Sequence, residues 1–305
     1  MAKTKSRVPN RGATRRPDLR IVDGGKPVPP ATAVPSATAA HPRGDDACFD
    51  PHGGDEATGR ELVASLTQTL LAGLTEVRTA FGAEVMLSGI FGAVTENMPE
   101  GADDDEVSAA LTVMLAQIIE YAATVATPDA LALLRVTSRL GPSLTQSLAR
   151  AVAEQLHATG VPDRPWVARL GTPTMLRAWR YGDIYGSQFS VGVLFHEQGR
   201  EHALMVLMDN LLGGGVKDCW VAEGRSAKGI RDSIAATMIN DPDAYFEDMD
   251  AATTATLLRE ALANPPCPEQ EDQLEDVATY LFLLRSRTAH LAQLAGLPAT
   301  SESSW

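Results

Sequence analysis

The chain has 305 residues, 44% hydrophobic and 21% charged, an ordinary globular balance with room for about two domains. Its three cysteines, Cys48, Cys219 and Cys267, are too few and too widely spaced for a disulfide framework or a Cys-x-x-Cys metal knuckle, and they read as reduced thiols in a cytoplasmic compartment. The net charge of −13 hides a basic start: residues 1–27 carry eight Lys and Arg against two Asp, a net of +6, which leaves −19 on the remainder, so nucleic acid is a partner only through this arm.

Residues 1–54 read as a disordered basic arm and linker. The tract Pro27-Val28-Pro29-Pro30-Ala31-Thr32-Ala33-Val34-Pro35 has no amphipathic period, and such a segment buries too little apolar surface to offset its ordering entropy. Arg15-Arg16 is not followed by the continuous apolar segment an export signal needs. No uninterrupted apolar run approaches the roughly 18 residues that span a membrane, so no membrane partner is expected.

Residues 55–162 read as a helical region. Leu62, Leu66, Leu70, Leu74, Val77 and Phe81 recur at intervals of three or four, the stripe of an amphipathic helix, with a break at Gly82 and a shorter helix over 83–98. Asp103 and Glu106 have the spacing of a capping pair ahead of Val107, Ala110, Leu111, Met114, Leu115, Ile118, Ile119 and Ala122. Pro128 opens a further helix ended by Leu140-Gly141-Pro142. A last stripe, Leu144, Leu148, Val152 and Leu156, closes at Gly160. Short connections between these helices predict an antiparallel bundle or a short solenoid, and no internal repeat supports a repeat family.

Residues 163–297 read as an α+β region. Seven of the sixteen aromatics fall between 166 and 220, and period two replaces period 3.6. Phe189 to Phe195 and His202 to Met208 read as strands joined by a two-residue Gln198-Gly199 turn. Strands over 217–222 and 179–184 complete a small antiparallel meander. Helices follow over 227–239, over 251–263 behind Asp250, and over 272–295. The last carries Leu274, Val277, Leu281, Leu284 and Leu291 on one face, and its late residues Arg285, Arg287 and His290 complement the helix dipole. Residues 298–305 read as a tail. The predicted fold class is therefore α+β: an N-terminal helical bundle, then an antiparallel meander packed with C-terminal helices.

The most distinctive stretch runs from Asp209 through Gly213, Gly214 and Gly215 to Lys217 and Asp218. Three successive glycines permit backbone conformations closed to other residues, and main-chain N–H groups converging there with Lys217 would suit an anion. The stretch matches neither a P-loop nor a dinucleotide fingerprint, because Lys217 is followed by Asp218 and the chain continues as strand rather than helix. The plain alternative is a wide connection between strands with solvated ends or a local ion pair. His196 and His202 lie a strand's length from Asp209 and Asp218, too far to share a metal, and no pattern calls for a cofactor. Cys219, beside Asp218, is structural rather than nucleophilic. Trp179, Tyr181 and Tyr185, interleaved with Arg180 and Gly182, form either a stacking surface or the aromatic core of the sheet.

In Trp179-Arg180-Tyr181-Gly182-Asp183-Ile184-Tyr185-Gly186 and in His202 through Trp220 the chain resembles an uncharacterised family of actinobacterial proteins, a resemblance that implies no activity and no catalytic residue. The function expected from the residues is a non-enzymatic interaction or regulatory protein that recognises a protein partner or small ligand through the sheet region. The alternatives are an enzyme or binder acting on an anionic small molecule at 209–218, and a nucleic-acid-associated factor using residues 1–27.

Overall fold

The order of elements follows the expected α+β plan. In the computed structural model, which describes residues 55–96, 104–267 and 271–298, five helices come first: α1 (Asp55–Glu76), α2 (Ala80–Glu96), α3 (Asp104–Val125), α4 (Pro128–Leu140) and α5 (Ser143–Ala158). The sheet strands are β1 (Thr174–Asp183), β2 (Gln188–Glu197), β3 (Arg200–Asp209), β4 (Val216–Glu223) and β5 (Ala244–Met249). Helix α6 (Gly224–Met238) lies between β4 and β5, and α7 (Ala251–Leu262) and α8 (Glu271–Leu294) follow. These elements all belong to one compact unit, residues 50–305. The basic arm, Asp103 with its expected capping role, Cys48 and residues 299–305 lie outside the described residues.

Helix α4 is the axis of the bundle. Pro128 opens it, and the Thr127 hydroxyl accepts from Ala130 N at 3.2 Å. Residues 130–134 are all buried, as a helix enclosed on every side requires, and α1, α2, α3, α5 and α8 surround it. The break between the first two helices falls at Val77–Thr79 rather than at Gly82. The Thr79 hydroxyl accepts from Gly82 N (3.0 Å), so capping chemistry sets the start of α2.

Two apolar stripes are narrower than expected. Leu62 is exposed on α1, and α5 turns Thr145, Ala149, Ala153 and Leu156 inward, leaving Leu144 and Leu148 outside. Small side chains let α5 approach closely, and that packing outweighs the leucine pattern. Residues 105–125 of α3 are long and apolar enough to cross a membrane by length and composition, although Gln117, Glu120 and Thr124 interrupt any apolar run. Here α3 packs on α1, α4 and α5 and buries Leu111, Leu115, Ile118 and Ile119.

The sheet is antiparallel throughout, in the order β4-β3-β2-β1-β5. The expected turn is present: Gln198 and Gly199 have φ of 51° and 76°, both in the left-handed region that two-residue hairpins use. The fifth strand was not anticipated. It is six residues long, carries Glu247 and Asp248, and pairs at the edge with β1, where Arg180 meets Glu247 and Arg231 of α6 meets Asp248. Side chains alternate across the sheet. Val191, Val193, Phe195, Leu204, Val206 and Met208 face α7 and α8, whereas Trp179, Leu194, Ala203 and Met205 face Ala227, Ile230 and Ile234 of α6.

Helix α8 joins the two halves. Phe282 belongs to the bundle core and meets Phe91 edge-on at 5.5 Å, while Val277, Leu284 and Leu291 belong to the sheet core. Helix α2 crosses α8 closely: a Cβ on Gly92 would sit 2.0 Å from the Ala278 carbonyl oxygen, and Ser88 Oγ donates to Thr279 O (2.7 Å) and accepts from Leu283 N (3.1 Å).

Candidate functional site

The glycine loop is a tight turn in which Asp209 and Lys217 pair with each other. Asp209 ends β3, and its Oδ1 accepts from Leu211 N (2.9 Å) and Leu212 N (3.3 Å), capping the short 3-10 turn Asn210–Leu212. Its Oδ2 accepts from Lys217 Nζ (2.7 Å) and Gln188 Nε2. Asp209 is 1% and Lys217 3% exposed, so of the two expected alternatives the loop ends form a local ion pair, a buried one, and are not solvated. The physical reason is a β-bulge: Leu207 pairs with Asp218 and Met208 with Val216, so Lys217 is the extra residue and is aimed at Asp209. Burial pushes the Asp209 carboxyl up, but the Lys217 and Gln188 hydrogen bonds outweigh it and hold the group below the usual carboxylate range.

Each glycine has a backbone reason. Gly213 and Gly214 have φ of 103° and 78°, and Gly214 N donates to Asp209 O (2.8 Å). A Cβ on Gly215 would lie 1.9 Å from the Pro265 carbonyl oxygen, where Cys267 N donates to Val216 O (3.0 Å) and Cys267 Sγ to Gly215 O (3.3 Å). Asp218 is half-buried on β4, and its charge raises the phenol of Tyr181 and the thiol of Cys219, each already raised chiefly by burial. Asp209 and Lys217 therefore meet in one place, and Asp218 faces a different set of neighbours.

The three aromatic candidates separate likewise. Trp179 is fully buried, which makes it part of the aromatic core rather than a stacking surface: Gly192 on β2 leaves room for the indole, and a Cβ there would stand 2.3 Å from the ring. Tyr181 is half-buried on the α6 face. Tyr185 alone projects, 75% exposed, with its hydroxyl donating to Asp243 Oδ1 (3.0 Å).

Tyr185 does not stand alone. The turns β1–β2, β3–β4 and α6–β5 lie at one end of the antiparallel sheet, and they expose Ile184, Tyr185, Leu211, Leu212 and Ile239. This platform is held firmly. Asn210 Nδ2 donates to Gly186 O (2.8 Å) and Asn210 N to Ser187 O (2.9 Å), tying the two hairpin tips together. Asp183 accepts from Ser187 N (3.0 Å), Ser187 Oγ (2.6 Å) and Gln188 N (2.9 Å), and Ile184 N donates to Asp243 O (2.9 Å). Sequence reasoning missed the leucines and isoleucines here. The available signal was Leu211-Leu212 itself, an apolar pair set among Asn and Gly where turn chemistry favours polar side chains.

A second charged group, also missed, lies where α2 and α8 meet the sheet. Glu84 of α2 and Arg287 of α8 are 0% and 1% exposed and pair in bidentate fashion, one contact being Nη1 to Oε1 at 3.2 Å. Arg287, read from the sequence as complementing the helix dipole, is thus an interior ion-pair partner as well. His202 stacks on Phe81 (centroids 3.9 Å) and Phe195 (5.4 Å), and burial pushes its pKa down to about 3. Among the described residues no group of three His, Cys, Asp or Glu is placed to hold a metal ion.

Comparison with protein-family models, with curated proteins and with solved structures finds no match for the chain.

Proposed function

We propose that the protein is a non-enzymatic interaction module that binds a protein partner through the platform of hairpin tips. The partner presents apolar side chains flanked by Lys and Arg. The observation that carries this reading is the exposure of Ile184, Tyr185, Leu211, Leu212 and Ile239 on three turns at one sheet end, two of them held by side-chain caps. Contiguous exposed apolar side chains rimmed by polar groups are the mark of an interface core, and a preformed platform loses little entropy on binding.

The charge of the rim gives the partner's chemistry. Asp241 and Asp243 are exposed there, and α6 and α7 both end at this side, adding the negative ends of their dipoles. The only Lys or Arg within 183–188, 209–218 and 238–244 is Lys217, which is buried against Asp209. Electrostatic complementarity therefore favours a cationic rim on the partner.

The test uses a defined probe: a synthetic amphipathic peptide of leucine and lysine, and its leucine–glutamate counterpart, titrated calorimetrically into the full chain. Binding of the lysine peptide should weaken about tenfold or more in a Tyr185→Ser/Leu211→Ser double variant, in line with the loss of interface anchors. It should also weaken in Asp243→Asn. Equal binding of both peptides, or binding untouched by these changes, sinks the reading. Binding of neutral phosphatidylcholine vesicles that disappears in the double variant would reassign the platform to a membrane surface.

A further inference from the structure

The group around Glu84 and Arg287 contains one more acid, and it is the one the ion pair does not explain. Glu197 ends β2, is 6% exposed, and neither of its carboxyl oxygens has a hydrogen-bond partner. Buried carboxylates are normally paired or heavily hydrogen-bonded, so an orphan of this kind requires its own account.

The charged and titratable groups around it can be taken element by element. From α2 comes Glu84, from α8 Arg287, and from β3 His202. His202 is neutral and its Nε2 is also without a partner. Farther along α8, His290 Nε2 lies 2.7 Å from Pro173 O, and burial pushes the pKa of that ring down. Arg200, opposite Glu197 across the hairpin turn, is exposed, and Glu201 beside it pairs with Lys228 at 3.5 Å. Glu223, opposite His202 on β4, is exposed, and its carboxyl is raised by desolvation with Arg200 opposing. The guanidinium of Arg287, already engaged bidentately by Glu84, lies 5.7 Å from the centre of the Phe195 ring. One buried cation therefore faces two buried acids. If both acids ionise, the joint between the bundle and the sheet holds an uncompensated negative charge.

We propose that Glu197 is a proton-operated latch: as the neutral acid it lets α2 and α8 close on the sheet, and as the carboxylate it competes with Glu84 for Arg287 and opens that joint to water. Burial, reinforced by the charge of Glu84 and only partly offset by Arg287, pushes the Glu197 carboxyl up to about 7, so the latch works near neutral pH. The sign follows from linkage. An unfolded Glu ionises near about 4.3, whereas the folded chain keeps this proton to about 7. Glu197 thus contributes its full stability below the unfolded value, and that contribution is lost as pH rises towards 7. His202 acts oppositely: its folded value is depressed, so its effect is to raise stability as pH climbs from about 3 towards 6.5. The two windows overlap, and only a difference between variants isolates the latch.

The experiment compares the full chain with Glu197→Gln in thermal unfolding from about pH 5 to about pH 8.5, with amide exchange of α2 and α8 at both ends of the range. The Tm difference between the two proteins should change by roughly 3–8 °C in favour of Glu197→Gln as pH rises, on the usual scale of a few degrees per kcal/mol for a domain of this size. Exchange around Arg287 should be faster in the wild-type chain than in the variant at the alkaline end. Glu84→Gln supplies an independent check should Glu197→Gln fold poorly. It leaves Arg287 to Glu197, so the fall in Tm attributed to the latch should vanish or reverse. Parallel Tm profiles for wild type and Glu197→Gln, or an undiminished fall in Glu84→Gln, would overturn the proposal.

Discussion

Two buried charge groups in this molecule contain the same kinds of side chain and behave differently. At the glycine loop, Asp209 meets one ammonium, one amide and two backbone N–H groups, so its lone pairs are used and its charge is balanced. At the bundle–sheet joint, Arg287 balances Glu84 but compensates Glu197 only in part, and the Glu197 carboxyl has no hydrogen bonds. A complete network fixes a structure, and here it fixes the tip that carries Leu211 and Leu212. An incomplete network stores a response, because one proton decides whether the buried charge sums to zero.

The comparison can be broken most forcefully at the joint. Arg287→Met should cost about 3–5 kcal/mol in urea unfolding, since it leaves two acids buried with no cation. Adding Glu84→Gln to that variant should recover a large part of the loss, because removing both charges avoids the uncompensated one. A smaller effect is expected at the loop. Lys217→Met should cost about 2 kcal/mol, as Asp209 keeps the donors from Gln188, Leu211 and Leu212. A loss as large as that of Arg287→Met would mean that the remaining donors do not compensate, and the contrast between the two groups would fail. Gly215→Ala should follow at about 1–2 kcal/mol, the cost of moving the strand away from Pro265 to admit a methyl group. Smallest of all are the tips: Tyr185→Ser and Leu211→Ser should each change stability by no more than about 0.5 kcal/mol, because neither side chain is buried. A large destabilisation there would turn the platform from a binding surface into part of the packing.

Alternating and helical periodicities were strong enough in the sequence to establish the class of fold. The strands over 189–195 and 202–208, the Gln198-Gly199 turn and the helix behind Asp250 all follow from local chemistry, which acts over a few residues. The glycines of 213–215 and the charges of Asp209 and Lys217 were legible as a special place, but not as a closed one. A bulge that re-aims Lys217 exists only once β3 and β4 have paired. Strand β5 escaped because an edge strand of six residues with two acids has too little alternation to announce itself. The exposed platform and the joint were hidden for a deeper reason. Ile184 and Leu211 lie 27 positions apart in the chain, and Glu84, Glu197 and Arg287 lie on three elements far apart in the chain. The sequence by itself determined periodicity, capping and turns, which are interactions between near neighbours. Which acids share a cation, and which apolar side chains are left uncovered, was decided by the packing of α2 and α8 on the sheet, because desolvation and charge pairing depend on distance in space alone.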